Sequence, residues 1–349
     1  MITNCRTGLS ENRSHGFTDA KPSARSPKRA KGGVSCAITD PTTAHDLLEV
    51  LDQDVVNLDP EGFEVKRVTV PLAECCLIYT RSNSALRTRT LVHKDFDACS
   101  ILGPQARGSI DGMELHSYAL IAAGPGAQAE LIVDKDFESI ALLVPPQVLN
   151  EHLALRGIKG GVVIPEDPEL WHPATDVARD LFELGVRIAK AAENAPGIFD
   201  DSHWARYGAQ VEFMDSLFAT IESCDPDGHI DTDRRGRSYS QIVRTCEDYT
   251  LNLEGRRPYM SELCAAANAS ERTLQNAFNN IMGMSPLTYL HRLRLHRARD
   301  ELRKAKSGST TVTDVALNWG FWHFGEFSRA YRNCFGEVPS RTLRQNSGD

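Results

Sequence analysis

The 349-residue chain carries 39 Lys and Arg against 47 Asp and Glu, a net charge of −8, with 41% hydrophobic and 25% charged residues. That balance predicts a soluble globular protein of two or three domains, and no apolar run approaches the roughly 20 residues needed to cross a bilayer. Nine scattered cysteines with no C-x-x-C spacing argue against a disulfide scaffold or a zinc site and for a reducing cytosol.

The net acidity is unevenly spread. Residues 1–33 hold 7 basic and 2 acidic side chains (+5), residues 34–238 hold 17 and 34 (−17), and residues 239–349 hold 15 and 11 (+4). An acidic body between basic ends is the charge pattern of a nucleic-acid module joined to something else.

In chain order, residues 1–38 are rich in Ser, Gly, Lys and Arg and lack apolar periodicity, which predicts a disordered basic arm. SPKRAK within it suits phosphate contacts, although a solvated tail is the plainer reading. The opening MITNCRTGLSENRSH has no apolar core of the secretory type. Residues 39–165 read as a β-rich domain. Short strand-like runs at Phe63–Val70, Cys75–Tyr79, Ala98–Leu102, Tyr118–Ala122, Ala129–Val133 and Ser139–Val144 alternate with Gly and Pro turns, as in a small barrel or sandwich. Residues 166–224 change to helical period. Val177, Leu181, Leu184 and Ile188 form one stripe, and Trp204, Tyr207, Val211, Met214, Phe218 and Ile221 another. These helices pack on the β domain or pair with a second subunit; the pattern serves both equally. Residues 225–238, DPDGHIDTDRRGRS, are a linker where the charge changes sign.

Residues 239–345 contain an internal repeat. FNNIMGMSPLTYL (278–290) aligns with YRNCFGEVPSRTL (331–343) at a constant offset of 53, placing Phe278 on Tyr331, Asn280 on Asn333, Gly283 on Gly336, Pro286 on Pro339 and Leu290 on Leu343. In the first copy Met260–Ala267 is a short helix with Leu263 and Ala266 inward. Asn268 makes the turn, because Asn tolerates the left-handed conformation. Ser270 then caps a helix over 271–281 whose inward face is Leu274, Ala277, Phe278 and Ile281. In the second copy Thr313–Trp319 precedes a turn at Gly320, a cap at His323 and a helix over 324–334 with Phe327 and Tyr331 inward. Each copy is a helix-turn-helix. Between them, Pro286–Lys306 is one uninterrupted helix with Leu287, Leu290, Leu295, Ala298 and Leu302 on its apolar face. It spans roughly 30 Å, close to one DNA turn of about 34 Å, and it is basic: of Arg292, Arg294, Arg297, Arg299, Arg303, Lys304 and Lys306, some are expected to contact phosphate and others to form a solvated face beside Asp300 and Glu301.

Residues 239–345 resemble the AraC/XylS family of bacterial transcription regulators. The resemblance is carried by SERTLQNAF (270–278), GMSPLTYL (283–290), RLRLHRARDEL (292–302) and VTDVALNWGF followed by FSRAYRNCFGEVPS (312–340). GFWHFGEFSRAY and FGEVPSRTL are most similar to the ethanolamine-utilisation activators within it. The resemblance implies a multidomain α+β protein: an N-terminal cupin-like barrel that binds an effector, amphipathic dimerisation helices, and an all-α domain of two helix-turn-helix units. It also implies two adjacent major grooves of double-stranded DNA, RNA polymerase contact with activation, a cytoplasmic, nucleoid-associated place, and an effector such as ethanolamine with a corrinoid coeffector.

The family's base-contacting positions fall on Ser270, Glu271, Arg272, Gln275 and Asn276 of the first unit and on Phe324, Gly325, Glu326, Ser328 and Arg329 of the second. Arg reads guanine and Gln or Asn reads adenine bidentately, whereas Phe324 and Gly325 make no such bonds. The first unit is therefore expected to carry more hydrogen-bonded specificity than the second. Trp319, Trp322 and His323 read as core or cap.

Enzyme chemistry is not expected. A metal-binding cupin needs a His-x-His pair with a later carboxylate and His. Here His45, His93, His116 and His152 stand alone, and Cys75 and Cys76 point to opposite faces of a strand. No phosphate loop or nucleophile elbow is present, so no metal or cofactor is expected. Asp111, Glu114, Tyr79 and Tyr118 have the chemistry to hold an ammonium, but the sequence does not bring them together. Two other functions stay open at this point: a cupin-type metalloprotein or enzyme fused to a DNA-binding unit, and a constitutive DNA binder whose β domain only dimerises.

Overall fold

A computed structural model describes residues 34–38, 51–59, 63–157, 163–195, 197–224, 234–306 and 308–345. The arm over 1–33, His45 and residues 225–233 of the expected linker lie outside the described residues.

The N-terminal region is two open antiparallel sheets. The seven-stranded sheet has the order β1 (Val34–Ile38), β3 (Val65–Pro71), β4 (Cys76–Ser82), β11 (Glu138–Val144), β6 (Asp97–Leu102), β9 (Leu120–Ala123), β12 (Glu169–Trp171). The five-stranded sheet has the order β2 (Leu51–Asn57), β5 (Leu86–Val92), β10 (Gln128–Val133), β7 (Gly108–Ile110), β8 (Met113–Glu114). The expected β-rich region is thus formed by two sheets, neither of which closes on itself. Val34–Ile38, assigned from composition to the arm, instead pair with β3 from Val34 against Thr69 to Ile38 against Val65. Cys75 and Cys76 join different apolar clusters, as their alternation predicts.

Helices cover one sheet. α1 (Pro146–Leu155) follows β11. α2 (Thr175–Asn194) buries Leu181, Leu184 and Ile188 in a cluster with Val68, Leu77, Ile101 and Leu142 of the seven-stranded sheet. After the short α3 (Gly197–Asp201), α4 (His203–Glu222) adds Phe213, Met214, Leu217 and Phe218 to the same cluster. Self-packing therefore takes up Leu181, Leu184 and Ile188 of the first stripe and Met214, Phe218 and Ile221 of the second. Trp204 and Tyr207 lie outside this cluster and are 78% and 44% exposed.

The C-terminal region is helical: α5 (Arg234–Leu251), α6 (Met260–Ala266), α7 (Glu271–Met282), α8 (Pro286–Lys304), α9 (Val312–Asn318), α10 (Phe324–Phe335) and α11 (Pro339–Gln345). Residues 234–238, expected as linker, are the start of α5. The domain has two apolar clusters, one per repeat. Leu263, Leu274, Phe278, Tyr289 and Leu290 form the first, and Leu295, Leu302, Val315, Phe327 and Tyr331 the second. α8 contributes to both.

Candidate nucleic-acid interface

The first unit is built as its residues require. Leu263 of α6 and Leu274, Ala277 and Phe278 of α7 are fully buried. The turn between the helices places Asn268 at φ 47°. Ser270 Oγ accepts from Thr273 N at 3.1 Å and so caps α7. α7 ends at Gly283 with φ 66°, the left-handed residue that closes a helix. Burying one side of α7 leaves the other in solvent: Glu271, Arg272 and Gln275 are exposed and Asn276 is half-buried. Gln275 Nε2 donates to Glu271 Oε1 at 3.1 Å, orienting the two side chains together.

The second unit repeats the plan. Thr311 caps α9 reciprocally with Asp314, at 3.1 Å in both directions. Gly320 makes the turn at φ 72°, and Gly336 closes α10 at φ 72°. Phe327 and Tyr331 are buried, while Phe324, Gly325, Glu326 and Arg329 are exposed and Ser328 is half-buried. His323 occupies the N-cap position of α10, but its side chain makes no capping hydrogen bond. Trp322 is not core: it is 65% exposed beside Phe324, with Nε1 donating to the Gly255 carbonyl at 3.0 Å. Trp319 is half-buried and donates to Glu301 Oε2 at 2.7 Å.

Two connections fix the units relative to each other. One is α8, a rod of roughly 28 Å at 1.5 Å per residue. The other is the α5–α6 loop: Gly255 N donates to the Asn318 carbonyl at 3.0 Å, and Gly320 lies so close to the Arg256 backbone that a Cβ there would stand 2.6 Å from its carbonyl carbon. Arg256 in turn pairs with Glu262 at 2.9 Å, and this hydrogen bond is the main reason the Glu262 carboxyl falls to about 2.

The basic face expected on α8 is mostly committed elsewhere. Arg294 is buried, donates to the Trp319 carbonyl at 3.1 Å and lies 5.0 Å over the Phe321 ring. Burial, then repulsion from Arg257, lowers it to about 10. Arg299 sits over Phe335 at 4.6 Å and pairs with Glu337 at 3.0 Å. Arg292 donates to the Leu58 carbonyl, and Arg297 to Asp54 at 2.8 and 2.6 Å. These four guanidiniums are all engaged by groups of the protein itself. Lys304 and Lys306 remain exposed, Lys304 paired with Asp300 at 2.8 Å. Leu287, expected inward, is 47% exposed, and Leu293 takes its place in the core.

A helix-turn-helix domain family model matches residues 263–345, spanning both recognition helices. The XylDLEGF operon transcriptional activator 1 of Pseudomonas putida is 35% identical over 231 residues, 65% of this chain and 67% of that protein. The chain belongs to the AraC/XylS family of transcriptional regulators. The probable thc operon regulatory protein of Rhodococcus erythropolis is 36% identical over 104 residues, 30% of this chain and 31% of that protein. Among solved structures, a probable AraC family transcriptional regulator from Rhodopseudomonas palustris CGA009 is 37% identical over 30% of this chain and 97% of that chain, with a TM-score of 0.28. The regulator is thus a DNA-binding transcription factor with a β-sheet N-terminal region and a helical C-terminal one.

In the regulator's β region the residues weighed as an ammonium cage are scattered. Tyr79 donates to Glu138 at 2.6 Å, the Tyr118 ring lies under Arg179, and Asp111 accepts from the Glu130 backbone at 3.1 Å. His93 pairs with Asp95 and His152 with Asp215, while His116 stands beside His172 with ring centroids 5.6 Å apart. What the regulator's two sheets do enclose is a small cavity. Gln53, Val55, Leu86, Thr88 and Leu131 line it from the five-stranded sheet, and Val65, Arg67, Thr80 and Ser139 from the seven-stranded one. Thr88 Oγ1 is buried there without a hydrogen-bond partner among the described residues. Arg67 Nη2 donates to Gln53 Oε1 at 2.7 Å. The sequence does not reveal this cavity because β2 and β5, which form one wall, carry Asp52, Gln53 and Asp54 and Arg87, Thr88, Arg89 and Thr90 in unbroken polar runs that mask the strand signal.

Proposed function

We propose that this regulator activates a metabolic operon by inserting α7 and α10 into adjacent major grooves, under the control of a small molecule held between its two sheets. The observation that carries the DNA reading is the duplication itself. Two helices, each closed by a left-handed glycine and each with a buried apolar stripe and a solvated outer face, are fixed on one helical rod whose length approximates a helical turn of DNA. On α7, Glu271, Arg272, Gln275 and Asn276 present hydrogen-bonding groups suited to base edges, with Ser270 engaged in its cap. On α10, Phe324 and its exposed neighbour Trp322 present apolar surface suited to thymine methyl groups, with Glu326, Ser328 and Arg329 beside them and Gly325 allowing close approach. Activation is proposed after the Pseudomonas relative, which is by name a transcriptional activator, and contact with RNA polymerase is the proposed route.

The cavity supports effector control. It joins apolar walls to several converging polar groups, a mixture that small-molecule sites share; at about 80 Å³ it has room for a small occupant only, and the unpartnered Thr88 hydroxyl is a buried donor that such an occupant would satisfy. Its lining has no carboxylate or Tyr among the described residues. That is poor chemistry for an ammonium, so a neutral or anionic molecule suits it better than ethanolamine. A homodimer fits the exposed Trp204 and Tyr207 on α4.

Selection of duplexes from a random library by the intact chain, followed by genome-wide footprinting, tests the proposal. Two conserved half-site elements one helical turn apart are expected. Enrichment of a single element, with no effect of altering Phe324 or Arg329, would refute two-groove reading.

A further inference from the structure

The cavity and the DNA-binding domain share a wall. Register places Val55, Thr88 and Leu131 side by side on β2, β5 and β10, and all three line the cavity. The neighbouring rows are Asp54–Arg89–Glu130 and Val56–Arg87–Ile132. Successive residues of a strand point to opposite faces, so these rows look away from the cavity, and what they meet is the helical domain.

The contact is charged and buried. Arg87 and Arg89 both donate to Glu247 Oε2 of α5, and Tyr289 of α8 donates to its other oxygen. Arg89 also donates to Asp248 at 2.9 Å. Asp54 accepts from Arg87 at 2.8 Å and from Arg297 of α8 at 2.8 and 2.6 Å. Arg87 and Glu247 are fully buried. Around them Val56, Leu58 and Ile132 complete an apolar cluster with Val243, Leu290 and Leu293. Buried ion pairs add little net stability, but the bonds that Arg87, Arg89 and Tyr289 make to Glu247 hold only while all four keep their places. Such a cluster tolerates few arrangements. Strand β5 supplies both the unpartnered Thr88 hydroxyl on the cavity side and the two guanidiniums on the other.

We propose that the β2–β5–β10 face relays the state of the cavity to the first helix-turn-helix unit, with Glu247 as the positioning residue that receives it. This rests on the reading of the cavity as the effector site. An occupant that shifts β5 moves Arg87 and Arg89 directly, and with them α5 and the N-terminal half of α8, against which α7 packs. Because coupling between sites is reciprocal, a change at Glu247 must also be felt on β2, β5 and β10.

A matched pair of substitutions tests the relay without a ligand. Val55 of β2 and Val65 of β3 both line the cavity and are similarly buried, but only β2 borders the helical domain. Hydrogen exchange of the intact chain is expected to accelerate at least fivefold in α5 and α8 for Val55→Ala and to stay within twofold there for Val65→Ala. Glu247→Gln is expected to accelerate β2, β5 and β10 while sparing β3, β4 and β11. Should Glu247→Gln fail to fold, Tyr289→Phe, which removes a donor to Glu247 from α8, carries the reciprocal arm. Equal effects of Val55→Ala and Val65→Ala on α5 and α8, or none from Val55→Ala, would overturn the relay. Thermal shift of the wild-type chain with ethanolamine, phenol and hexanoate, as amine, neutral and anionic probes, reads the effector site separately. A shift with any of them alongside indistinguishable valine variants removes the relay and keeps the site. Distinct valine variants with no shift keep the relay and remove the site's effector role.

Discussion

Glu130 makes the interdomain cluster sensitive to pH in a direction that can be worked out. Its side chain is 1% exposed, and neither carboxyl oxygen has a hydrogen-bond partner among the described residues. Arg89 and Arg87 of β5 face it at 3.8 and 4.0 Å, beyond hydrogen-bonding distance, while Glu247 of α5 and Asp111 repel it. Burial dominates, and the carboxyl is pushed from 4.5 to about 7. In the unfolded chain it ionises near its ordinary value. Below that value both states hold the proton. As pH rises toward 7 the unfolded state gives it up first, and stability is lost. Above 7 the loss is complete, about 3 kcal/mol at 1.36 kcal/mol per pH unit. Glu130→Gln keeps the shape and removes the ionisation. Urea unfolding of the intact chain is expected to show the variant equal to wild type near pH 4.5 and about 3 kcal/mol more stable at pH 8. A difference that does not change with pH, or a variant less stable at pH 8, would mean that attraction to Arg87 and Arg89 outweighs burial and would refute the reasoning.

Other outcomes concern the DNA-binding domain. Arg272→Ala is expected to relax sequence preference at one base pair by about 1–3 kcal/mol, more than Arg329→Ala does; selection experiments showing the opposite order would place the main polar reader on α10. Ser270→Ala removes the cap on α7 and is expected to cost about 1 kcal/mol of stability in urea melts. Gly320→Ala forces a left-handed backbone on an L-residue and sets its Cβ 2.6 Å from the Arg256 backbone, so a loss of at least about 1 kcal/mol is expected. Gly325→Ala meets nothing within 4 Å; it is expected to leave thermal stability unchanged or slightly raised while weakening DNA binding, and unaltered binding would take Gly325 out of the interface.

The duplicated helix-turn-helix and the Ser270 cap of its first unit are legible in the residues alone, whereas the His323 cap expected in the second makes no side-chain bond. Those signals are local: Ser270 bonds its own helix, Asn268, Gly283, Gly320 and Gly336 act through their own backbone torsions, and Leu274, Phe278, Phe327 and Tyr331 repeat at a helical period. The charge boundary between the two halves is legible too, since charge depends on composition alone. Which basic residues stay available to DNA depends instead on the fold. Arg292, Arg294, Arg297 and Arg299 read as one cationic helix, yet Leu58, Trp319, Asp54 and Glu337, remote in sequence, take them up in turn. The meeting of the β and helical domains is likewise a property of the folded chain. In LDQDVVN and LRTRTLV, charged side chains sit where an inward face would be apolar, and nothing near them in sequence names Glu247 as their partner. Local torsion and period are carried by a short stretch of chain. The fate of a charge depends on whatever the fold brings within a few ångströms of it.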